Sequence, residues 1–212
     1  MTPEHAAARR WVPWICAYTG ARVNEITQLR AEDVIRCVFP SGVPGYAAGT
    51  AFWALNITPE AGTVKTGTYR VVPLHDHLIE QGFVAFAMAK GQGPLFYAPE
   101  RQKKGASGQN PTYARVGQAL GEWVRGLGVD DPNVAPNHGW RHRFKTIGRQ
   151  VGMDSAKLDA IQGHVQSNEG GEYGEFPAAA LKPEIDKMPS YDVTAALTVD
   201  RRTRGAARAA RR

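Results

Sequence analysis

The 212 residues, 42% hydrophobic and 22% charged, suffice for one globular domain with a substantial core plus tails. The formal charge of +6 is concentrated at one end: residues 201–212 hold six arginines and no acid, while the rest carries 20 basic and 20 acidic groups, so bulk charge does not mark the body as a nucleic-acid binder. Apolar runs stay short of the ~18 residues of a membrane span, Arg9 and Arg10 break the one candidate signal segment, and two cysteines without a CxxC argue against a zinc or disulfide framework.

Thr2-Pro3-Glu4 opens the first helix as cap, first-turn proline and first-turn acid. Trp11, Trp14, Ile15 and Tyr18 follow at i, i+3, i+4 and i+7, and Gly20 ends the helix. Residues 21–29 read as a second short helix with Val23, Ile26 and Leu29 inward and with Arg22 and Glu25 sharing another face. Residues 36–50 hold three Gly and two Pro and read as a loop. Residues 51–58 and 68–75 read as strands, separated by Thr63-Val64-Lys65-Thr66-Gly67, a turn with a lysine near its tip. Residues 76–90 read as one helix, and 91–111 as a loop carrying Arg101, Lys103 and Lys104. Thr112 is expected to cap a helix whose apolar stripe is Val116, Leu120, Trp123, Val124 and Leu127. Ser155 is expected to cap a short helix to Gln162, before a Gly-rich turn that reaches Tyr173. Residues 178–187 read as the last helix. The fold class is α+β, mainly α-helical, with a small antiparallel sheet. Residues 1–190 are expected to form one domain. Residues 191–212 are expected to be a flexible segment, ending in a DNA-binding arm or a solvated tail. Cys16 reads as a small core residue.

The most informative stretch is His138-Gly139-Trp140-Arg141-His142. Pro136 and Asn137 read as its helix start, with Asn137 as cap. Trp140, Phe144, Ile147 and Val151 make an apolar stripe, and His138, Arg141, His142, Lys145 and Arg149 fall roughly 150° away at about 100° per residue. That second face carries two imidazoles, two guanidiniums and an ammonium, all able to donate hydrogen bonds, and suits an oxyanion such as phosphate. A solvated helix face is the alternative reading. A His138/His142 metal pair is disfavoured, because Gly139 stands where an HExxH motif needs its Glu.

Four pieces of the chain, in this order, resemble the tyrosine recombinases, the phage and mobile-element integrase family. They are Thr19-Gly20-Ala21-Arg22-Val23-Asn24-Glu25-Ile26 with Leu29; Val64-Lys65-Thr66 running into Arg70-Val71-Val72-Pro73-Leu74; His138-Gly139-Trp140-Arg141-His142; and Gly163-His164 with Tyr173 nine residues on. The resemblance spans residues 10–187 and implies the family's catalytic, DNA breaking-rejoining fold. It implies strand cleavage by a Tyr hydroxyl through a 3′-phosphotyrosyl intermediate, with no metal and no cofactor. Arg22 and Arg141 would clamp the non-bridging oxygens, and His164 would add a hydrogen bond. His138 would accept the proton of the nucleophile Tyr173, and Lys65 would protonate the departing 5′-oxygen. Glu25 would orient Arg22, His142 would support the pocket, and Lys145, Arg149 and Arg70 are expected on DNA. A free Tyr, with a pKa near 10, is only about 0.1% phenolate at neutral pH, so the reaction needs this assistance.

The implied partners are double-stranded DNA attachment sites and, on DNA, three further copies of a chain that is monomeric when free. The implied setting is a bacterial or phage-infected cytoplasm, at the nucleoid. The alternative is a catalytically inactive DNA-binding remnant. Gln162 departs from the family's usual Leu and is expected to loosen local packing. Glu169, Glu172 and Glu175 put repulsive charge around Tyr173. The family's N-terminal DNA-binding clamp domain is expected to be absent, which implies weak, salt-sensitive DNA binding. Tyr191 is the competing nucleophile, poorly placed relative to His164. Leu181, Ile185 and Met188 form a stripe expected to dock on a neighbouring subunit or to fold back on its own.

Overall fold

The computed structural model describes residues 1–65, 67–101, 111–164 and 176–191. Its first helix, α1 (Pro3–Thr19), begins as the sequence dictates: the Thr2 side chain caps it by accepting from the His5 N–H. It ends at Gly20, whose φ of 60° is the left-handed stop that lets the Gly20 N–H reach the Cys16 carbonyl. The short helix α2 (Val23–Thr27) follows at once. Val34-Ile35-Arg36-Cys37-Val38 is then a strand, β1 (Val34–Val38), so the expected loop shrinks to residues 39–50. The five residues are too short a run to stand out, and they become a strand through pairing with β2 (Ala51–Ile57), Val34 opposite Leu55 and Val38 opposite Ala51. β3 (Arg70–Pro73) pairs antiparallel on the other edge of β2, giving the order β1-β2-β3.

The sheet is covered on both faces. The cross-strand row Val34, Leu55 and Val72 faces the main core, together with Ile57. On the other face Phe52 and Ala54 pack with Phe39 and with Ala179 of α8 (Ala178–Ile185). The Tyr46 hydroxyl donates to Asp186 Oδ2 at 2.5 Å, pinning the 39–50 loop to the end of α8.

Residues 76–90 form two helices, α3 (Asp76–Glu80) and α4 (Phe83–Lys90), because Gly82 at φ 88° breaks the run. In α5 (Thr112–Gly126) Pro111 takes the cap position, and Thr112 is the first helical residue. Its buried face is Tyr113, Val116, Leu120 and Val124; Leu127 lies beyond the helix and is 63% exposed. α6 (Pro136–Gln150) starts one residue before the expected cap. Asn137 is inside the helix, and its amide donates to the Gly117 carbonyl of α5 at 2.7 Å. α7 (Ser155–Gln162) is capped by Asp154, not Ser155, through the Lys157 N–H at 2.9 Å.

α1 packs against α6, α2 and α5, and α8 packs on β3. One contiguous core links Ile15, Cys16 and Tyr18 of α1 with Ile26, Leu55, Leu74, Phe83, Phe144 and Ile161. Leu181, Ile185 and Met188 are buried in this same core, so the stripe folds back on its own chain, the second of its two expected placements.

Candidate functional site

The clearest departure from the helical-wheel reading is Arg141. It does not lie on a solvated face of α6 but is buried, 5% exposed, with Phe144 and Gly148 on the inward side. Trp140 and Ile147 of the expected stripe are only half-buried. An unpaired guanidinium would not tolerate burial. Here Arg141 Nη1 donates to the Gly20 carbonyl at 2.7 Å and to the Gln162 carbonyl at 2.6 Å. Both acceptors are carbonyls at helix ends, where the backbone dipoles leave partial negative charge. Arg141 Nη2 is buried and has no hydrogen-bond partner among the described residues. Burial, then the charge of Arg22, brings the group down to about 10, so it stays cationic at neutral pH.

Gln162 does not loosen this region. It is fully buried, and its Nε2 donates back to the Arg141 carbonyl at 2.9 Å, closing a reciprocal pair between α6 and the end of α7. A Cβ on Gly20 would lie 2.5 Å from Gln162 Nε2 and 2.6 Å from Phe144 Cδ1, so the α1 turn, α6 and α7 meet in direct contact.

Arg22 sits at the cap position of α2 with its side chain 29% exposed. Only Ala21 separates it from Gly20, so the turn that anchors Arg141 also delivers Arg22. The buried Glu25 carboxylate holds it: Oε1 accepts Arg22 Nη1 at 3.1 Å and Oε2 accepts the Arg22 backbone N–H at 3.0 Å. Oε2 also accepts Arg70 Nη2 at 2.6 Å. Burial alone would raise the Glu25 pKa, but the Arg70 charge and hydrogen bond, then those of Arg22, hold it below the ordinary value.

Arg70, expected on DNA, faces inward instead. Its side chain is 14% exposed, its Nε donates to the Ile161 carbonyl at 3.2 Å, and its Nη1 is buried with no partner among the described residues. The cause is Glu25, a buried carboxylate that needs a second cation beside Arg22.

His164 follows the left-handed Gly163 that ends α7. Its N–H donates to the Asp159 carbonyl at 2.9 Å, and its Nδ1 lies 3.3 Å from Asp159 Oδ1. The same Oδ1 takes Lys145 Nζ at 2.8 Å, so Lys145 is engaged beside His164. Burial, then the charges of Arg141 and Lys145, lower the His164 pKa. His138 is exposed, with its ring edge-on to that of His142 at 4.6 Å. Burial lowers its pKa, as do His142, Arg141 and Arg22. His142 and Arg149 are exposed on α6.

The charges of Arg22 and Arg141 thus bear on both His138 and His164, with Glu25 held by Arg22 and Asp159 beside His164. Such a cluster of cations favours an anion and, after burial, contributes to the lowered pKa of both imidazoles. Lys65 lies on a separate segment, the turn before β3. It is exposed on the turn closed by the Gly67 N–H and the Val64 carbonyl, and makes no hydrogen bond or ion pair among the described residues. Tyr173, with Glu169, Glu172 and Glu175, lies outside the described residues. Tyr191 is packed in an aromatic cluster with Trp14 and Tyr18, under the Arg143 guanidinium. Nothing in the sequence marks Gly20, Asp159 and Gln162 as supports of the site. Two of them act through backbone carbonyls, which leave no mark in a sequence, and Asp159 looks like any acid on a helix.

No family model and no curated protein matches the sequence. In three dimensions the chain is similar to the integrase from mycobacterium phage Brujita, with a TM-score of 0.53 and 17% identity. The match covers 93% of this chain and 56% of that one, so the chain spans little more than half the length of that integrase. The chain has an integrase-like α+β fold.

Proposed function

We propose that the chain is the catalytic domain of a tyrosine site-specific recombinase acting on double-stranded DNA attachment sites. One observation carries this reading: Arg141 Nη1 is anchored on the Gly20 carbonyl at 2.7 Å, in the turn that leads straight into Arg22, and Arg141 keeps a buried Nη2 with no acceptor among the described residues. A buried donor held open in a cationic cup calls for an anionic ligand.

In this reading the scissile phosphate lies between Arg22 and Arg141, with His164 as a further donor. The Tyr173 oxygen attacks phosphorus, and its proton passes to His138, whose lowered pKa keeps it neutral and able to accept. The bond to the 5′-oxygen breaks, and Lys65 supplies the proton to that oxygen. The product is a 3′-phosphotyrosyl link and a free 5′-hydroxyl; attack by another 5′-hydroxyl reverses the step. The residues present supply all the proton transfers, and the link conserves the phosphodiester energy. Lys65 reaches the leaving group by movement of its exposed turn when DNA binds. His142 supports His138 edge-on, while Arg149 and Lys145 contact the backbone of the duplex. Four copies assemble on two duplexes, at the nucleoid, from subunits that are monomeric when free.

The test is covalent trapping. The protein is incubated with a library of labelled duplexes of randomised sequence, nicked so that the short 5′ product diffuses away. The expected result is a denaturant-stable, protease-sensitive adduct that Tyr173→Phe abolishes. Salt-sensitive DNA binding with no adduct at any sequence would identify an inactive DNA-binding remnant instead.

A further inference from the structure

The geometry points to Arg70 as a positioning residue that couples Arg22 to His164, a role that rests on the recombinase reading of the site. The side chain reaches three elements from its place on β3. Its Nη2 donates to the same Glu25 oxygen that receives the Arg22 backbone N–H. Its Nε donates to the Ile161 carbonyl, three residues before His164. Its guanidinium plane lies against Gly163, where an added Cβ would come within 2.8 Å of Cζ and Nη1. Glu25 is itself 1% exposed and holds Arg22 by two hydrogen bonds. One planar, rigid cation therefore sets the spacing between the α2 cap and the end of α7.

Lysine keeps the charge but not the fork, so it cannot satisfy Glu25 and the Ile161 carbonyl together. The two helix ends then lose their common brace. Misplacement of a reacting group by about 1 Å costs on the order of 10²-fold in rate. A role in DNA contact has a different signature: affinity falls and the rate at saturating DNA does not.

The experiment has two arms, both on the full chain. In the first, side-chain NMR follows the Arg22 Nε–H and the His164 imidazole in Arg70→Lys and in Glu25→Gln, the second variant guarding against a folding defect in the first. Coupling requires both signals to shift or broaden in each folded variant. Movement of only one signal, or of neither, overturns the proposal. This arm uses no DNA, so it is decided even if the protein forms no covalent adduct, which would count against the recombinase reading alone. In the second arm, Arg70→Lys is expected to slow adduct formation about 10²-fold at saturating DNA, with the dissociation constant for duplex changed less than twofold. A loss confined to affinity overturns the positioning role and leaves the recombinase reading standing.

Discussion

Replacing Gly20 by alanine tests how closely α1, α6 and α7 meet behind the site. Gly20 has φ 60° and ψ 13°, a left-handed conformation that costs an L-residue about 1–2 kcal/mol. Its added Cβ would also lie 2.5 Å from Gln162 Nε2 and 2.6 Å from Phe144 Cδ1, and both neighbours are fully buried. Such overpacking costs about 1–3 kcal/mol. The total is about 2–5 kcal/mol, or roughly 4–20 °C in Tm for a chain of this size. Gly152→Ala is the control, since Gly152 has φ 71° with open space around it. It should lose only the backbone share, about 1–2 kcal/mol. The gain from a stiffer unfolded chain is common to both variants and cancels in the difference. Calorimetry or urea unfolding measures both. Equal losses would refute the packing argument, and with it the claim that the Gly20 turn and Gln162 jointly seat Arg141.

Three further outcomes follow from the same contacts. Gln162→Leu removes a buried Oε1 that has no partner among the described residues but also the donor to the Arg141 carbonyl, so stability should change by less than about 1.5 kcal/mol; a larger loss in urea unfolding would show that the amide is indispensable. His75, His138 and His164 all have pKa values lowered in the fold, with burial the leading cause. The unfolded chain, with histidines near 6.5, binds more protons than the folded one just below that pH, so stability falls as pH drops through about 6.5 until the folded values are passed. Denaturation midpoints should be lower at pH 5.5 than at pH 7.5, and a higher midpoint at pH 5.5 contradicts this. Tyr191→Phe removes a buried hydroxyl with no partner among the described residues while keeping its ring against Trp14 and Tyr18, so Tm should stay within a few degrees and adduct formation should persist; loss of the adduct would make Tyr191 the nucleophile.

Local signals in the sequence carried much of the fold. Thr2-Pro3-Glu4 and Gly20 bounded α1 because caps and left-handed stops are chemistry within a few residues. Arg22 and Glu25 were legible as a pair for the same reason, being three residues apart. What failed depended on distant partners. β1 exists because β2 lies beside it. Arg141 looked solvent-facing on a helical wheel because the wheel does not contain the Gly20 and Gln162 carbonyls that make its burial tolerable. Arg70 looked like a surface cation because its partner, Glu25, lies 45 residues earlier in the chain.

The most direct measurement is the position of a tungstate ion, a heavy phosphate analogue, located by anomalous scattering in a crystal of the protein. The expected site is between the Arg22 and Arg141 guanidiniums, with Arg141 Nη2 as a donor and His164 within reach. An ion bound elsewhere, with those guanidiniums facing away from any shared anion, would contradict the phosphate cup on which the recombinase reading stands.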